Sequence, residues 1–272
     1  MNAKTGGHPN ALVFAARLVR PQSEQSFIEE GYPMPFRLIA PPFTAMHEDG
    51  SLNLDAIDLQ ARLLFESGVM GVFVAGSTGE GMSLTVEERM RLAERWNKVG
   101  RPLGLEVIIQ VGHTSQEDAI RLASHCADLG VDAIAVSAPS YFKPATVDEL
   151  LGFCVPIAET VPLLPLFYYD IPGLTGVQLP MVDFLSRGKR QMPNLVGIKY
   201  SNPDIVQLQE CVRLNNGEFE VLFGCDQALL AGYVLGVSGA VGSTYNFAAP
   251  LYHKMLEAFE AGCRLVVYPG DG

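Results

Sequence analysis

The feature that most constrains the fold is a unit that repeats eight times from about residue 36 onward. Each unit begins with a short apolar run rich in β-branched residues and continues into a stretch with helical periodicity. The runs are FRLIAPPFT (36–44), GVFVAGST (71–78), EVIIQVG (106–112), DAIAVSAPS (132–140), PLFYYDIP (165–172), LVGIKYS (195–201), EVLFGCD (220–226) and GAVGSTYN (239–246). Apolar strands that alternate with amphipathic helices are typical of a parallel sheet covered by helices.

Helix starts are marked by capping boxes, in which a hydroxyl residue precedes an acidic residue by three positions. They occur at Thr85-x-x-Glu88, at Thr146-x-x-Glu149 and, in a weaker variant, at Ser115-x-x-Asp118. Each pair follows one of the apolar runs. The pattern therefore predicts that a helix begins after each of these strands.

Length and turn composition favour closure of the sheet. The chain has 272 residues, and eight βα units need about 250. An open doubly wound sheet is the alternative, but its Gly-rich dinucleotide turn is missing from the first unit. We predict an α/β protein with a (β/α)8 (TIM) barrel over residues 35–262. Residues 263–272 are predicted to be a short atypical tail.

Residues 1–34 are predicted to be a disordered N-terminal extension that precedes the barrel. The segment before Glu24 contains Lys4, Arg17 and Arg20 but no acidic residue, so a mitochondrial presequence is an alternative. Met34 lies directly before the first unit and would be a natural first residue. The stretch NALVFAARLV (10–19) is too short to span a membrane.

Charge and composition exclude several classes of partner. The formal net charge is −11, from 19 Lys+Arg and 30 Asp+Glu, and no basic stripe is present. Binding to nucleic acid or to an anionic membrane is therefore not expected. Five cysteines form no C-x-x-C pair and five histidines form no H-x-x-x-H pair. We expect free thiols in the cytoplasm and no metal site.

Lys199 stands in the apolar strand LVGIKYS (195–201) without an acidic neighbour in sequence. Side chains alternate along a strand, so Gly197, Lys199 and Ser201 share one face, while Val196, Ile198 and Tyr200 share the other. The apolar set is predicted to pack against the outer helices. Lys199 would then point into the barrel near the carboxyl ends of the strands, where the active sites of such barrels lie.

A buried lysine has a chemical use. The pKa of a lysine in water is about 10.4, and burial lowers it by disfavouring the ammonium form. A neutral amine can attack a carbonyl and form a Schiff base. The alternative is structural: Lys199 extends out of the barrel mouth, or it pairs with Asp170 or Asp226.

Two further stretches carry polar groups at strand ends. In AGSTGEGMSLTVEER (75–89), the Ser77 and Thr78 hydroxyls and the backbone amides could hold a carboxylate. The alternative is an ordinary βα turn. In FYYDIPGLTG (167–176), Tyr169 could shuttle protons, or it could simply fill the barrel.

Together these stretches resemble the pyruvate-dependent class I aldolase and lyase family that includes dihydrodipicolinate synthase and N-acetylneuraminate lyase. The resemblance extends from about Phe36 to Gly262. It implies that Lys199 is the Schiff-base nucleophile, that Tyr169 is the proton relay, and that GSTGEG binds the carboxylate of pyruvate through Ser77 and Thr78. It also implies a supporting role for Tyr141 in APSYFKP, a homotetramer built partly from that segment, and no cofactor.

Within this family the chain resembles the sialic acid lyase branch. Leu174 stands where an arginine of the dihydrodipicolinate branch grips a second carboxylate. The stretches KYS, LFGCDQ and GAVGSTYN resemble those that contact the sugar hydroxyls. The resemblance thus implies substrate-binding roles for Ser201, Gly224, Asp226, Gln227 and Ser243. Gln227 departs from the glutamate usual in these lyases, which leaves the exact sugar open.

The implied activity is the reversible aldol cleavage of N-acetylneuraminate to pyruvate and N-acetylmannosamine. A related 2-keto-3-deoxy sugar acid aldolase or a dihydrodipicolinate synthase-like enzyme is the alternative within the family. The family's helical C-terminal extension is expected to be largely missing here. That feature suggests an alternative of another class, a catalytically idle binding or regulatory protein.

Overall fold

The structure, a computed structural model, describes residues 36–262. The predicted extension (1–34) and the predicted tail (263–272) lie outside these described residues.

Eight parallel strands close into one barrel within residues 36–262, and each strand pairs with the next until β8 returns to β1. The strands are β1 (Arg37–Ala40), β2 (Gly71–Val74), β3 (Glu106–Gln110), β4 (Ala133–Ser137), β5 (Leu166–Asp170), β6 (Leu195–Tyr200), β7 (Glu220–Phe223) and β8 (Gly239–Val241). Every strand lies within one of the apolar runs. The prediction of a (β/α)8 barrel is therefore confirmed.

The longer helices follow the strands in turn. They are α1 (Ala56–Glu66), α2 (Val86–Leu103), α3 (Gln116–Leu129), α4 (Val147–Thr160), α5 (Met181–Gln191), α6 (Ile205–Arg213), α7 (Leu229–Leu235) and α8 (Tyr245–Glu260). Single helical turns occupy Gly81–Ser83, Pro172–Thr175, Leu214–Asn216 and Asp226–Ala228. Among the described residues, no helix is both long enough and apolar enough to span a bilayer.

The predicted caps begin α2, α3 and α4, but they differ in detail. Thr85 forms the complete box: its hydroxyl accepts from the Glu88 amide, and the Glu88 carboxylate accepts from the Thr85 amide at 2.8 Å. The hydroxyls of Ser115 and Thr146 also accept from the amides three residues on. The boxes predicted at Ser115 and Thr146 are both incomplete. The Ser115 amide donates to His113 Nδ1, and the Glu149 carboxylate accepts from the Ala145 amide.

The barrel interior is filled by the inward side chains of seven strands. They are Ile39, Phe73, Ile108, Ala133, Ala135, Phe167, Tyr169, Leu222 and Val241. Outward side chains pack on the helices. Tyr168, for example, lies 4.5 Å from Phe184 of α5 between ring centroids. The strand alternation predicted around Tyr169 is therefore confirmed.

Val196 is an exception to the predicted alternation. It packs against the interior cluster, so the prediction that it faces the outer helices is wrong. The physical reason is a register shift between Leu166 and Phe167, where β5 and β6 pair irregularly. Such an irregularity re-aims the side chain beside it. Alternation resumes above the shift, and Lys199 points inward.

Candidate active site

Lys199 lies on β6 with its amine inside the barrel. Only 3% of the residue is exposed. Its Nζ lies 3.7 Å from the centroid of the Phe73 ring and 4.0 Å from that of the Tyr169 ring. The neighbouring position must be glycine, because a Cβ at Gly197 would lie 2.0 Å from the Glu220 carbonyl oxygen. Gly197 thus lets β6 and β7 approach closely below the amine.

Burial lowers the pKa of Lys199 well below its usual value. The two aromatic rings favour the ammonium form, but a desolvated cation–π contact contributes only about 2 kcal/mol. The desolvation of an ammonium ion costs several kcal/mol and therefore decides the direction. Both suggested carboxylate partners are engaged elsewhere. Asp170 accepts a hydrogen bond from Asn202 at 3.1 Å, and Asp226 accepts from the Thr244 amide at 2.9 Å.

Tyr169 lies beside Lys199 and is joined to the Gly-rich loop. Its hydroxyl lies 3.0 Å from the Ser77 hydroxyl, within hydrogen-bonding distance. Burial raises the pKa of Tyr169, and hydrogen bonds with the Ser77 and Ser201 hydroxyls offset part of that rise. A free phenolate is therefore disfavoured, and the phenol can exchange a proton only in concert with a neighbour.

The loop after β2 has a constrained backbone. Ala75 and Glu80 both have positive φ, at 55° and 53°. A Cβ at Gly81 would lie 1.9 Å from the Ala75 carbonyl oxygen, so the loop closes only with glycine there. This geometry presents the Ser77 and Thr78 hydroxyls at the mouth of the barrel.

The loops after β7 and β8 meet the Gly-rich loop from the other side. The hydroxyls of Thr78 and Ser243 lie 2.6 Å apart. A Cβ at Gly224 would lie 1.9 Å from the Ser201 hydroxyl oxygen, so Gly224 makes room for that side chain. The structure thus brings most of the sequence-predicted residues to one end of the barrel.

Two predicted residues are oriented differently from the rest. The Asp226 carboxylate accepts from the Thr244 hydroxyl at 2.6 Å, in addition to the Thr244 amide, so one of its oxygens is already engaged. Gln227 is exposed. Asp226 therefore holds the β8 loop in place, and its second oxygen is the one available to a ligand.

Tyr141 is not brought to the site within this chain. It is 77% exposed, and its ring packs edge-on against Phe142 at 5.0 Å. It lines a shallow surface depression formed by residues 139–153 and not the cavity that contains Tyr169. Within one copy of the chain, Tyr141 therefore lies apart from the cavity that contains Tyr169.

A cavity of about 320 Å³ opens beside Tyr169 and Ser77. It also contains Gln110 and Ser137, two residues that our sequence reasoning did not identify. Both are buried and lie at the carboxyl ends of β3 and β4. Their position one inward step above Ile108 and Ala135 was visible in the strand alternation and could have identified them.

The described part of the chain contains no group of three or more His, Cys, Asp or Glu side chains arranged to hold a metal ion. The polar groups at the barrel mouth are mainly hydroxyls, amides and one amine, together with the carboxylates of Glu80 and Asp226. This set suits the binding of a carboxylate and the chemistry of a carbonyl group.

Known proteins share this arrangement of sequence and fold. The model of the dihydrodipicolinate synthetase family matches residues 34–266. N-acetylneuraminate lyase of Danio rerio is 43% identical over 227 residues, which are 83% of this chain and 74% of that protein. The solved Proteus mirabilis N-acetylneuraminate lyase has 39% identity and a TM-score of 0.81, over 85% of this chain and 77% of its own.

A third relative is a catalytic lysine mutant of Ruminococcus gnavus sialic acid aldolase. Its structure has 29% identity and a TM-score of 0.78, over 84% of this chain and 73% of its own. The family match spans the whole barrel, from the first strand to the last described helix. The chain therefore belongs to the dihydrodipicolinate synthetase family.

Proposed function

We propose that the protein is a carbon–carbon lyase that reversibly cleaves N-acetylneuraminate to pyruvate and N-acetylmannosamine. The observation that carries the proposal is the Lys199 amine buried beside Tyr169 at the mouth of a closed barrel, where burial lowers its pKa. Relatives named N-acetylneuraminate lyase support the choice of substrate. The R. gnavus sialic acid aldolase has a catalytic lysine, which supports the choice of chemistry.

The first step joins the substrate to Lys199. The neutral amine attacks C2 of the open-chain keto acid, and loss of water with uptake of one proton from solvent leaves a protonated Schiff base. The Ser77 and Thr78 hydroxyls hold the substrate carboxylate. Burial lowers the pKa of Lys199 well below its usual value and so favours the neutral, nucleophilic form of the amine.

The second step breaks the C3–C4 bond. The Tyr169 oxygen takes the proton of the C4 hydroxyl as its own proton moves to the Ser77 hydroxyl, 3.0 Å away, and the Ser77 proton passes to the substrate carboxylate that Ser77 holds. The electron pair of the C3–C4 bond moves to the iminium and forms an enamine, while the aldehyde leaves. Protonation at C3 and hydrolysis then release pyruvate and restore the amine.

Leu174 supports a sugar acid over a substrate with a second carboxylate. Its side chain is 67% exposed and lines the cavity beside Tyr169. An apolar side chain at this place offers no partner to a carboxylate. Ser201, Gly224, Asp226, Gln227 and Ser243 lie on the opposite side of the site, where we place the sugar hydroxyls.

We also propose that the chain acts as a homo-oligomer, a tetramer by family resemblance, in the cytoplasm. Tyr141 and Phe142 are 77% and 81% exposed and form one aromatic pair at the surface. An exposed pair of this size fits a contact between copies. Light scattering of the purified protein measures the assembly. A monomer at micromolar concentration would contradict this part of the proposal.

Trapping with borohydride tests the chemistry. Protein incubated with pyruvate and borohydride should gain the mass of one reduced pyruvate adduct on Lys199, and Lys199→Ala should gain none. Pyruvate release from N-acetylneuraminate and from 2-keto-3-deoxygluconate, coupled to lactate dehydrogenase, then identifies the sugar acid. Failure of folded wild-type protein to form the adduct would overturn the proposed function.

A further inference from the structure

A buried arginine lies behind the wall of the cavity. Arg89 of α2 is 1% exposed. Its guanidinium donates to the Gly112 carbonyl at 3.1 Å, to the Gln110 carbonyl at 2.6 Å and to the Gln110 side-chain oxygen at 2.9 Å. All three acceptors are uncharged. The positive charge of Arg89 is thus held by dipoles at the ends of β3.

Arg89 determines the orientation of the Gln110 amide. A guanidinium only donates, so the Gln110 oxygen must face it and the Gln110 nitrogen must face away. That nitrogen donates to the Ser137 hydroxyl oxygen at 3.0 Å. The reverse orientation would place two donors against each other at Arg89. The hydrogen-bond chain therefore has one direction, from Arg89 through Gln110 to Ser137.

The same series of hydrogen bonds determines whether Ser137 can donate to a ligand or accept from it. Its oxygen already accepts from Gln110, so its hydrogen remains to be donated. Within residues 36–262, no acceptor for this hydrogen is in hydrogen-bonding geometry. Ser137 lines the cavity that it shares with Tyr169 and Ser77.

Packing holds Ser137 in place on its other side. A Cβ at Gly112 would lie 2.6 Å from the Ser137 amide nitrogen and 2.7 Å from its hydroxyl oxygen. The end of β3 therefore lies directly against Ser137. The hydroxyl is confined between this backbone and Gln110, and the direction left to it leads into the cavity.

The remaining cavity wall selects the kind of ligand group. Away from Ser77, it includes Glu80, the apolar side chains of Met82, Ile171 and Leu174, and the hydroxyl residues Ser83, Ser140 and Thr175. None of the lining residues is a cation and one is an acid, so an anion is disfavoured in this part of the cavity. An uncharged oxygen, such as a hydroxyl or an amide carbonyl, can accept from Ser137 at no such cost.

From this geometry we propose that Ser137 binds an uncharged oxygen of the aldehyde half of the substrate. Gln110 and Arg89 are positioning residues that aim the Ser137 hydrogen. This inference rests on the proposed function, since the pyruvate half is assigned to Lys199, Ser77 and Thr78. The sugar hydroxyls are placed at Ser201, Asp226 and Ser243, so the part of this half that extends past Tyr169 into the cavity is the N-acetyl substituent, whose carbonyl oxygen is uncharged.

Ser137→Ala tests the contact, with Ser124→Ala as the matched control on α3, where the lost hydroxyl donates only to the Ile120 carbonyl and lies outside the cavity. We measure the synthesis direction and vary N-acetylmannosamine and pyruvate separately. Ser137→Ala should raise the KM for N-acetylmannosamine about tenfold, the effect of one lost hydrogen bond. It should change the KM for pyruvate less than twofold. The control should leave both constants unchanged. If Ser137→Ala and wild type have the same KM for N-acetylmannosamine, the inference is overturned.

Gln110→Glu separates aiming from folding. A carboxylate at this position still accepts from Arg89, but it cannot donate to Ser137. Ser137 would then donate to the carboxylate and present only lone pairs to the cavity. We expect the melting temperature to equal or exceed that of wild type, while the KM for N-acetylmannosamine rises at least tenfold. A stable Gln110→Glu protein with the wild-type KM for N-acetylmannosamine would refute the role of the hydrogen bonds from Arg89 through Gln110 to Ser137.

The two proposals fail in different ways. Absence of the reduced pyruvate adduct in wild type would overturn the proposed function. The inference about Ser137 alone would be overturned if wild type and Ser137→Ala both form the adduct and have the same KM for N-acetylmannosamine.

Discussion

Burial of the Lys199 amine should make the stability of the protein depend on pH, and this dependence can be measured without any substrate. Folding moves Lys199 from water, where its pKa is about 10.4, to a site where burial lowers that pKa. Between the two pKa values the unfolded chain holds one more proton than the native protein. The free energy of unfolding therefore rises with pH by about 1.4 kcal/mol per unit across this range. The free energy of unfolding is lowered by the full amount at pH values below the pKa of Lys199 in the native protein. It is no longer lowered at pH values above the pKa of Lys199 in the unfolded chain.

Lys199→Met removes this proton linkage. Methionine has a similar length, and its sulfur can pack against the Phe73 and Tyr169 rings, which lie about 4 Å from the lysine nitrogen. We expect the variant to be more stable than wild type at pH 7. The difference between them should shrink by about 1.4 kcal/mol for each pH unit towards pH 10.

Denaturant unfolding at several pH values between 7 and 10 measures the difference. Lys98→Met is the matched control, because it removes the same formal charge from an exposed position. A difference between wild type and Lys199→Met that does not vary with pH would refute the reasoning. It would mean that the native protein holds the lysine proton throughout this range.

Three other predictions concern the neighbours of Lys199. Tyr169→Phe should still form the reduced pyruvate adduct but should lose at least 100-fold in kcat, the usual contribution of general acid–base catalysis; full turnover would remove Tyr169 from the relay. Gly81→Ala should unfold at a lower temperature and lose pyruvate binding, because the new Cβ would lie 1.9 Å from the Ala75 carbonyl oxygen; calorimetry and adduct formation both report it. Burial raises the pKa of Asp170 to about 6, so the native protein holds a proton that the unfolded chain has released. Wild type should therefore lose stability relative to Asp170→Asn as pH rises from about 4 to 6, by roughly 3 kcal/mol; parallel stability curves would contradict this.

Local sequence predicted the barrel well because each βα unit carries its own signals. The apolar runs contain all eight strands, and Thr85, Ser115 and Thr146 cap the helices that they were predicted to begin. These features depend on neighbours a few residues apart. Side-chain alternation extends over a few residues too, and it placed Lys199 and Tyr169 inside the barrel correctly.

The predicted side-chain alternation was wrong at one place, where the register between two paired strands shifts. Val196 turned to the interior because β5 and β6 pair with a shifted register, and a register belongs to a pair of strands and not to either one. The incomplete box at Thr146 has a similar origin. The Glu149 carboxylate accepts from the Ala145 amide and not from the Thr146 amide, which depends on the backbone before the helix.

The sequence by itself therefore determined the eight units, their order and the face of the strand on which each candidate residue lies. Closure of the barrel decided the chemistry, because it joined residues far apart in the chain. Tyr169 meets Ser77 across 92 positions, and Thr78 meets Ser243 across 165. The low pKa of Lys199 and the direction of the Ser137 hydrogen bond have the same origin. Both arise from burial and from partners on other strands and helices, which no local pattern encodes.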